Sequence, residues 1–161
     1  MHHLSNLATQ VGHALQQRDW KLATCESITG GGISQAITDI AGSSEWFDCG
    51  FVTYSNASKI RFLDVPETLI GQHGAVSEAV AAAMVRGALA HTDAQISLST
   101  TGIAGPGGAV PGKPVGTVCF GWAHGDIVHT ERIIFTGDRA AVRAQTAEHA
   151  LQGLLAFMER L

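Results

Sequence analysis

Charge is scarce in this chain: Asp, Glu, Lys and Arg together make up 15% of it. Ten basic residues against fourteen acidic ones leave a net charge of −4 and a pI near 6.0. That balance excludes a strongly basic surface, so nucleic acid is not the expected ligand. No apolar run approaches the ~18 residues that would span a bilayer, so no membrane partner is expected. The cysteines number three, Cys25, Cys49 and Cys119; an odd count does not read as a disulfide framework, and their place in or beside strands reads as buried filler. Met1-His2-His3-Leu4 contains no apolar stretch of the kind a secretory leader needs. The expectation is a cytoplasmic, reducing compartment. The histidines do not cluster at ligand spacing, and neither H-E-x-x-H nor C-x-x-C occurs, so no metal site is expected. Repeats and low-complexity tracts are absent, and the length suits a single domain over 1–161.

What is present is apolar residue, 45% of the chain, enough to bury a real core. Leu4 to Gln17 has helical spacing, with Leu4, Leu7, Ala8, Val11, Ala14 and Leu15 on one face. Leu22 to Cys25 reads as a strand, and Ile33, Ile37 and Ile40 as the apolar stripe of a helix that Gly42-Ser43-Ser44 ends. Gly50 to Tyr54 is a second strand and Asn56 to Leu63 a helix. Another short helix starts at Val65-Pro66-Glu67. Ser77 caps a helix carrying Val80, Ala81, Met84, Val85 and Leu89. Ala94 to Thr101 is a strand. Val115 to Ala123 and Ile127 to Phe135 pair as a hairpin across His124-Gly125-Asp126. Asp138 to Leu161 is a long helix. Helices alternating with strands, then a late hairpin, predict an α/β fold with one mixed sheet covered by helices.

Glycine, with 19 residues, collects in loops, and four segments there could carry chemistry. Ser27-Ile28-Thr29-Gly30-Gly31-Gly32 runs from a strand into a helix. Its amides could face an anion or a developing oxyanion, or the glycines could serve the turn alone. Thr53-Tyr54-Ser55-Asn56-Ala57-Ser58-Lys59 sets the single tyrosine five residues before one of only three lysines. A lysine desolvated at a sheet end can lose its proton and act as base for a serine; a solvated surface lysine is the plainer alternative. If the first two strands are parallel neighbours, Ser27 and Tyr54 finish at one sheet edge, where α/β proteins bind ligands. The loop from Gly102 to Gly112 is long enough to suggest function. Asp138 suits a helix N-cap, with Arg139 and Arg143 sharing a face that could reach a phosphate or simply meet water. Ser43 and Ser44 read most plainly as the cap of a short turn at Glu45-Trp46-Phe47.

Seven segments, in order, resemble the CinA C-terminal domain family: Glu26-Ser27-Ile28-Thr29-Gly30-Gly31, Ala41-Gly42-Ser43-Ser44, Tyr54 to Lys59, Gly74-Ala75-Val76-Ser77, Thr101 to Pro106, Lys113-Pro114-Val115-Gly116 and Gly137-Asp138-Arg139. The resemblance runs from about Leu4 to about Phe157. It implies a three-layer α/β/α domain, a homo-oligomer (a dimer being the expectation), and hydrolysis of the amide of nicotinamide mononucleotide to nicotinate mononucleotide and ammonia, without cofactor. Longer relatives carry an additional N-terminal domain with a pyrophosphatase role, which is not carried over here. The family motif usually has Cys where this chain has Ile28, which removes any cysteine nucleophile at that position and leaves a serine mechanism intact.

In that mechanism a serine attacks the carboxamide, Lys59 is the base, and Tyr54 positions it or passes a proton to ammonia. Backbone amides of a Gly-rich loop hold the oxyanion. Thr29, Gly30, Gly31, Thr101, Gly102 and Gly105 line the substrate, and Arg139 or Arg143 holds the phosphate. The sheet-edge argument favours Ser27 as nucleophile, while the resemblance makes Ser44 at least as strong a candidate, because Gly42-Ser43-Ser44 is also a segment of the family's site. Two other readings are a nucleotide-binding module without turnover and an interaction protein of competence or DNA repair.

Overall fold

A computed structural model describes residues 2–161; Met1 and the His2 side chain lie outside the description. The elements follow in the order α1 (His2–Arg18), β1 (Leu22–Glu26), α2 (Gly32–Thr38), a 3₁₀ turn (Ser43–Glu45), β2 (Phe47–Val52), α3 (Asn56–Leu63), α4 (Glu67–His73), α5 (Glu78–His91), β3 (Ile96–Gly102), β4 (Thr117–His124), β5 (Ile127–Ile134) and α6 (Arg139–Glu159). One sheet runs in the order β2-β1-β3-β4-β5. The first three strands in that order are parallel and the last two pair antiparallel, which is the expected mixed sheet.

Alternation along the strands sorts the two faces. Leu22, Ile96, Leu98, Phe120 and Trp122 pack with α1, α2 and α6. Ala23 and Cys25 pack on the other side with Val80, Met84 and Ala88 of α5 and Leu63 of α3. That second face is built of small residues, which lets α5 settle close. Ser97 Oγ donates to Val85 O at 3.0 Å and Ser99 Oγ to Ala81 O at 2.8 Å. A Cβ on Gly121 would stand only 2.7 Å from Ala81 O. Across the sheet, Trp122 donates its indole N–H to Ala150 O at 3.0 Å and lies so close to α6 that a Cβ on Gly153 would meet it at 2.1 Å. Helices on both faces make the three-layer α/β/α arrangement.

Several expected boundaries move: β3 starts at Ile96 instead of Ala94 and β4 at Thr117 instead of Val115. β2 occupies Phe47–Val52 instead of Gly50 to Tyr54, because Trp46 O already accepts from Leu22 N at 2.9 Å and starts the pairing early. The short turn is Ser43–Glu45 instead of Glu45-Trp46-Phe47; Trp46 is needed in the core. Cys25 and Cys119 are buried free thiols, but Cys49 is only half-buried.

Candidate active site

The parallel register brings three strand ends to one edge. Ser27 follows β1, Thr53 and Tyr54 follow β2, and Thr101 and Gly102 close β3. Ser55 caps α3, its hydroxyl accepting from Ser58 N–H at 3.1 Å. The cap aims the first turn so that Lys59 runs back beneath the edge, where it is 1% exposed. Lys59 Nζ makes three contacts: Ser27 Oγ at 3.0 Å, Thr53 O at 2.8 Å and Tyr54 O at 3.2 Å.

None of these partners is a carboxylate, so nothing offsets the loss of water around the ammonium. Burial therefore lowers the Lys59 pKa from 10.5 to about 8. The geometry suits the neutral amine. Its two N–H groups can donate to the two carbonyls, which turns the lone pair toward the Ser27 hydroxyl. Tyr54 serves the lysine through its main-chain oxygen; its side chain is 65% exposed at the cavity mouth.

The cavity above the pair has a volume of about 260 Å³ and is lined by Ser27, Ile28, Tyr54, Asn56, Lys59, Ala75, Val76, Thr101, Gly102, Ala104 and Arg139. A larger apolar cleft of about 490 Å³ lies between α3, α4 and α5. It has no hydroxyl, lysine or other base and nucleophile pair in its wall. Among the described residues, no group of three His, Cys, Asp or Glu side chains could hold a metal ion.

The Gly-rich turn is built differently from its sequence reading. The amides at the start of α2, Ile33 N–H and Ser34 N–H, both donate at 2.8 Å to the buried Glu26 carboxylate, which also accepts from Ser34 Oγ at 2.6 Å. A protein carboxylate thus takes the place where a substrate anion was expected. Gly30 and Gly31 have positive φ, 59° and 102°, so they serve the turn. Thr29 is buried and hydrogen-bonded to Thr100 at 2.9 Å, behind the cavity wall. Thr101 lines the cavity while donating to Ala75 O at 2.9 Å. Gly105 lies outside the lining; its carbonyl accepts from Arg139 at 2.8 Å.

The two arginines separate as well. Arg139 lines the cavity. Arg143 donates to Ile28 O and Thr29 O at 3.1 and 3.3 Å, which ties it to the back of the turn. Asp138 caps α6 by accepting from Ala141 N–H at 2.9 Å.

Ser44 is not brought to this edge. It is exposed in the 3₁₀ turn that precedes β2, at the amino end of the strand whose carboxyl end leads to Lys59. Six residues of strand, at about 3.3 Å each, place it roughly 20 Å away. Ser44→Ala is therefore expected to leave turnover within about twofold of the unmodified chain, as befits an exposed hydroxyl far from the base; a loss comparable to that of Ser27→Ala would overturn this placement.

Residues 4–158 match the model of the CinA C-terminal domain. The chain belongs to the CinA C-terminal domain family. The nicotinamide-nucleotide amidohydrolase PncC of Pseudomonas putida is 53% identical to it, over 94% of this chain and 95% of that protein. The protein of the same name from Escherichia coli K12 is 50% identical over 94% and 92%. A CinA-like protein of Chlorobaculum tepidum is 47% identical, but this chain covers 37% of its length. Among solved structures, a CinA superfamily protein of Klebsiella pneumoniae 700603 superposes with a TM-score of 0.95 at 37% identity, covering 98% of this chain and 99% of that one. The competence/damage inducible protein CihA of Agrobacterium tumefaciens gives 0.93 at 36% identity, over 96% and 94%.

Of the CinA family segments in this chain, those at Ser27, Tyr54 to Lys59, Gly74 to Ser77, Thr101 to Pro106 and Arg139 converge on the cavity. Sequence reasoning gave no role to Asn56, Ala75 or Val76, which line it, whereas Ala104 lies within the Gly102–Gly105 stretch expected to line the substrate. Asn56 had a legible signal, standing directly after the cap of the helix that carries Lys59. Ala75 and Val76 had none, since an apolar wall residue looks like any core residue. Glu26 also went without a role, although a carboxylate at the end of an apolar strand needs partners.

Proposed function

We propose that this protein hydrolyses the carboxamide of nicotinamide mononucleotide, releasing ammonia, with Ser27 as nucleophile and Lys59 as general base. The observation that carries the reading is the 3.0 Å contact between a buried lysine and a serine hydroxyl, with main-chain carbonyls holding the other two amine contacts. The names of the Pseudomonas putida and Escherichia coli relatives supply the substrate.

Ser27 Oγ attacks the amide carbon and its proton passes to Lys59 Nζ. The protonated lysine returns that proton to the departing ammonia, and water then hydrolyses the ester by the same route reversed. Arg139, in the cavity wall, anchors the phosphate; Arg143 positions the turn. Thr101 and Gly102 form the wall beside the ring, and the exposed Tyr54 ring covers the mouth. We further take residues 1–161 as one domain acting in the cytoplasm as a homo-oligomer, with a dimer the expected size. No helix among the described residues is long and apolar enough to cross a membrane.

The test is ammonia release from nicotinamide mononucleotide, with chelator present, followed across pH. At pH 7 a lysine of pKa about 8 is neutral in about one molecule in ten, against about one in three thousand at its ordinary value. Because the base must be neutral, kcat/KM is expected to rise with pH and level off above about 8. No ammonia from folded protein would reject the reaction. A rate that falls over that range would reject Lys59 as base.

A further inference from the structure

An attacked carboxamide needs a donor for its oxygen, and the end of β3 has one to spare. Main-chain groups along a strand face its two neighbours alternately. Ile103 N–H donates to Thr117 O at 2.9 Å, on the β4 side. Gly102, one residue earlier, therefore turns its N–H toward β1. Thr100 has the same orientation, and its carbonyl accepts from Ser27 N–H at 3.0 Å. In a continued parallel ladder the next bond would run from Gly102 N–H to Ser27 O. That bond is not made. The chain turns away after Glu26, and Ser27 O accepts instead from Gly30 N–H at 3.1 Å. The same alternation keeps Gly102 N–H off β4, and on the β1 side neither Ser27 O nor any other loop carbonyl among the described residues accepts from it.

We propose that Gly102 N–H is the oxyanion donor for the Ser27 reaction, an assignment that rests on the amidohydrolase reading above. Adjacent strands lie about 4.8 Å apart, so this free donor stands beside Ser27, and Gly102 lines the same cavity. An oxyanion there takes the acceptor position that Ser27 O leaves open. The step balances as follows: Ser27 Oγ bonds to the amide carbon, the carbonyl π pair moves onto oxygen and meets Gly102 N–H, and the Ser27 proton passes to Lys59. The pair then re-forms the carbonyl, the C–N bond breaks, and ammonia leaves with the lysine's proton.

Two neighbours fit this role. A Cβ at position 102 would stand 2.8 Å from Ile28 Cδ1 and 2.9 Å from Thr117 O, so only glycine keeps the donor open without moving its surroundings. Ile28, 6% exposed, gives the donor an apolar wall, where a hydrogen bond to developing charge is stronger than in water. The residue that departs from the family motif thereby has a task in the site.

The experiment replaces Gly102 by glycolate through reprogrammed translation, which exchanges the N–H for an ester oxygen and keeps the shape. Three properties are compared with the unmodified chain: thermal unfolding, ammonia release from nicotinamide mononucleotide, and the rate at which a fluorophosphonate labels Ser27. Labelling forms the Ser27 O–P bond and expels fluoride. Its phosphoryl oxygen uses the same donor without any nicotinamide substrate. The expected result is a fall in kcat of about 10²–10³-fold with little change in KM, and slowed labelling. Unchanged kcat and labelling overturn the assignment and leave the amidohydrolase reading standing. If the unmodified chain releases no ammonia, that reading fails alone, and the labelling ratio still decides Gly102. Absence of Ser27 labelling in the unmodified chain overturns it too. Should the ester chain not fold, the ¹⁵N-labelled Gly102 amide proton of the unmodified chain is followed instead. A downfield move on labelling supports the assignment, and an unmoved resonance overturns it.

Discussion

Ser27→Ala is expected to lower ammonia release by at least about 10⁴-fold while the chain stays folded, because removing an acyl-accepting nucleophile leaves only binding and oxyanion stabilisation. Little else depends on that hydroxyl. Ser27 is nearly buried, yet its Oγ has one partner, Lys59, and alanine fits wherever serine does. Its N–H bond to Thr100 O belongs to the backbone and survives. Mass spectrometry after rapid quench gives a second readout. A nicotinyl adduct trapped on the unmodified chain and missing from Ser27→Ala identifies the acylated residue. Substantial turnover by the variant would remove Ser27 from the chemistry.

Lys59→Gln is expected to cost about 10³-fold in kcat, within the range for loss of a general base, with less effect on KM since the group touches the reacting serine and not the substrate's phosphate. The remaining activity should also lose the rise through pH 8 that the lysine confers. A stability comparison tests the same titration. Folded Lys59 has its pKa lowered by burial to about 8, against the ordinary 10.5 of a solvated lysine. Between those values the unfolded chain binds the extra proton, so stability rises with pH there. Below the folded pKa the ammonium is buried in the native state and that contribution is lost. The unmodified chain should thus gain stability relative to Lys59→Gln as pH rises from about 8 to about 10. Equal pH dependence of the two unfolding curves would mean that Lys59 does not titrate as a desolvated amine.

Much of the fold was legible because local rules and tertiary packing agree here. Asn56–Leu63 and Asp138 as a helix cap read directly from spacing and side-chain chemistry. The hairpin of β4 and β5 is announced by His124-Gly125-Asp126 between apolar runs, though His124 itself closes β4. The site was legible in part. Ser27, Tyr54 and Lys59 stand out because a lone tyrosine and a scarce lysine follow strand ends. Ser44 stood level with Ser27 only while the direction of β2 was unknown. Once β2 runs parallel to β1, the residue before it and the residue after β1 are at opposite edges.

Other readings turned on main-chain groups, which carry no side-chain signature. The glycine turn resembled an anion cradle until Glu26 was seen to occupy the amides of α2. The contacts that hold Lys59 come from the carbonyls of Thr53 and Tyr54, which any residues could supply. Gly102 N–H loses its ladder partner because Ser27 O accepts from Gly30 N–H in the turn.

By itself, then, the sequence determined the elements, the three-layer mixed-sheet class and the family, since each rests on periodicity, caps and ordered short motifs. Only the tertiary structure decided which serine meets the lysine, which arginine faces the cavity and which amide is left free. Those depend on strand direction and hydrogen-bond parity, and both arise from pairing between segments far apart in the chain.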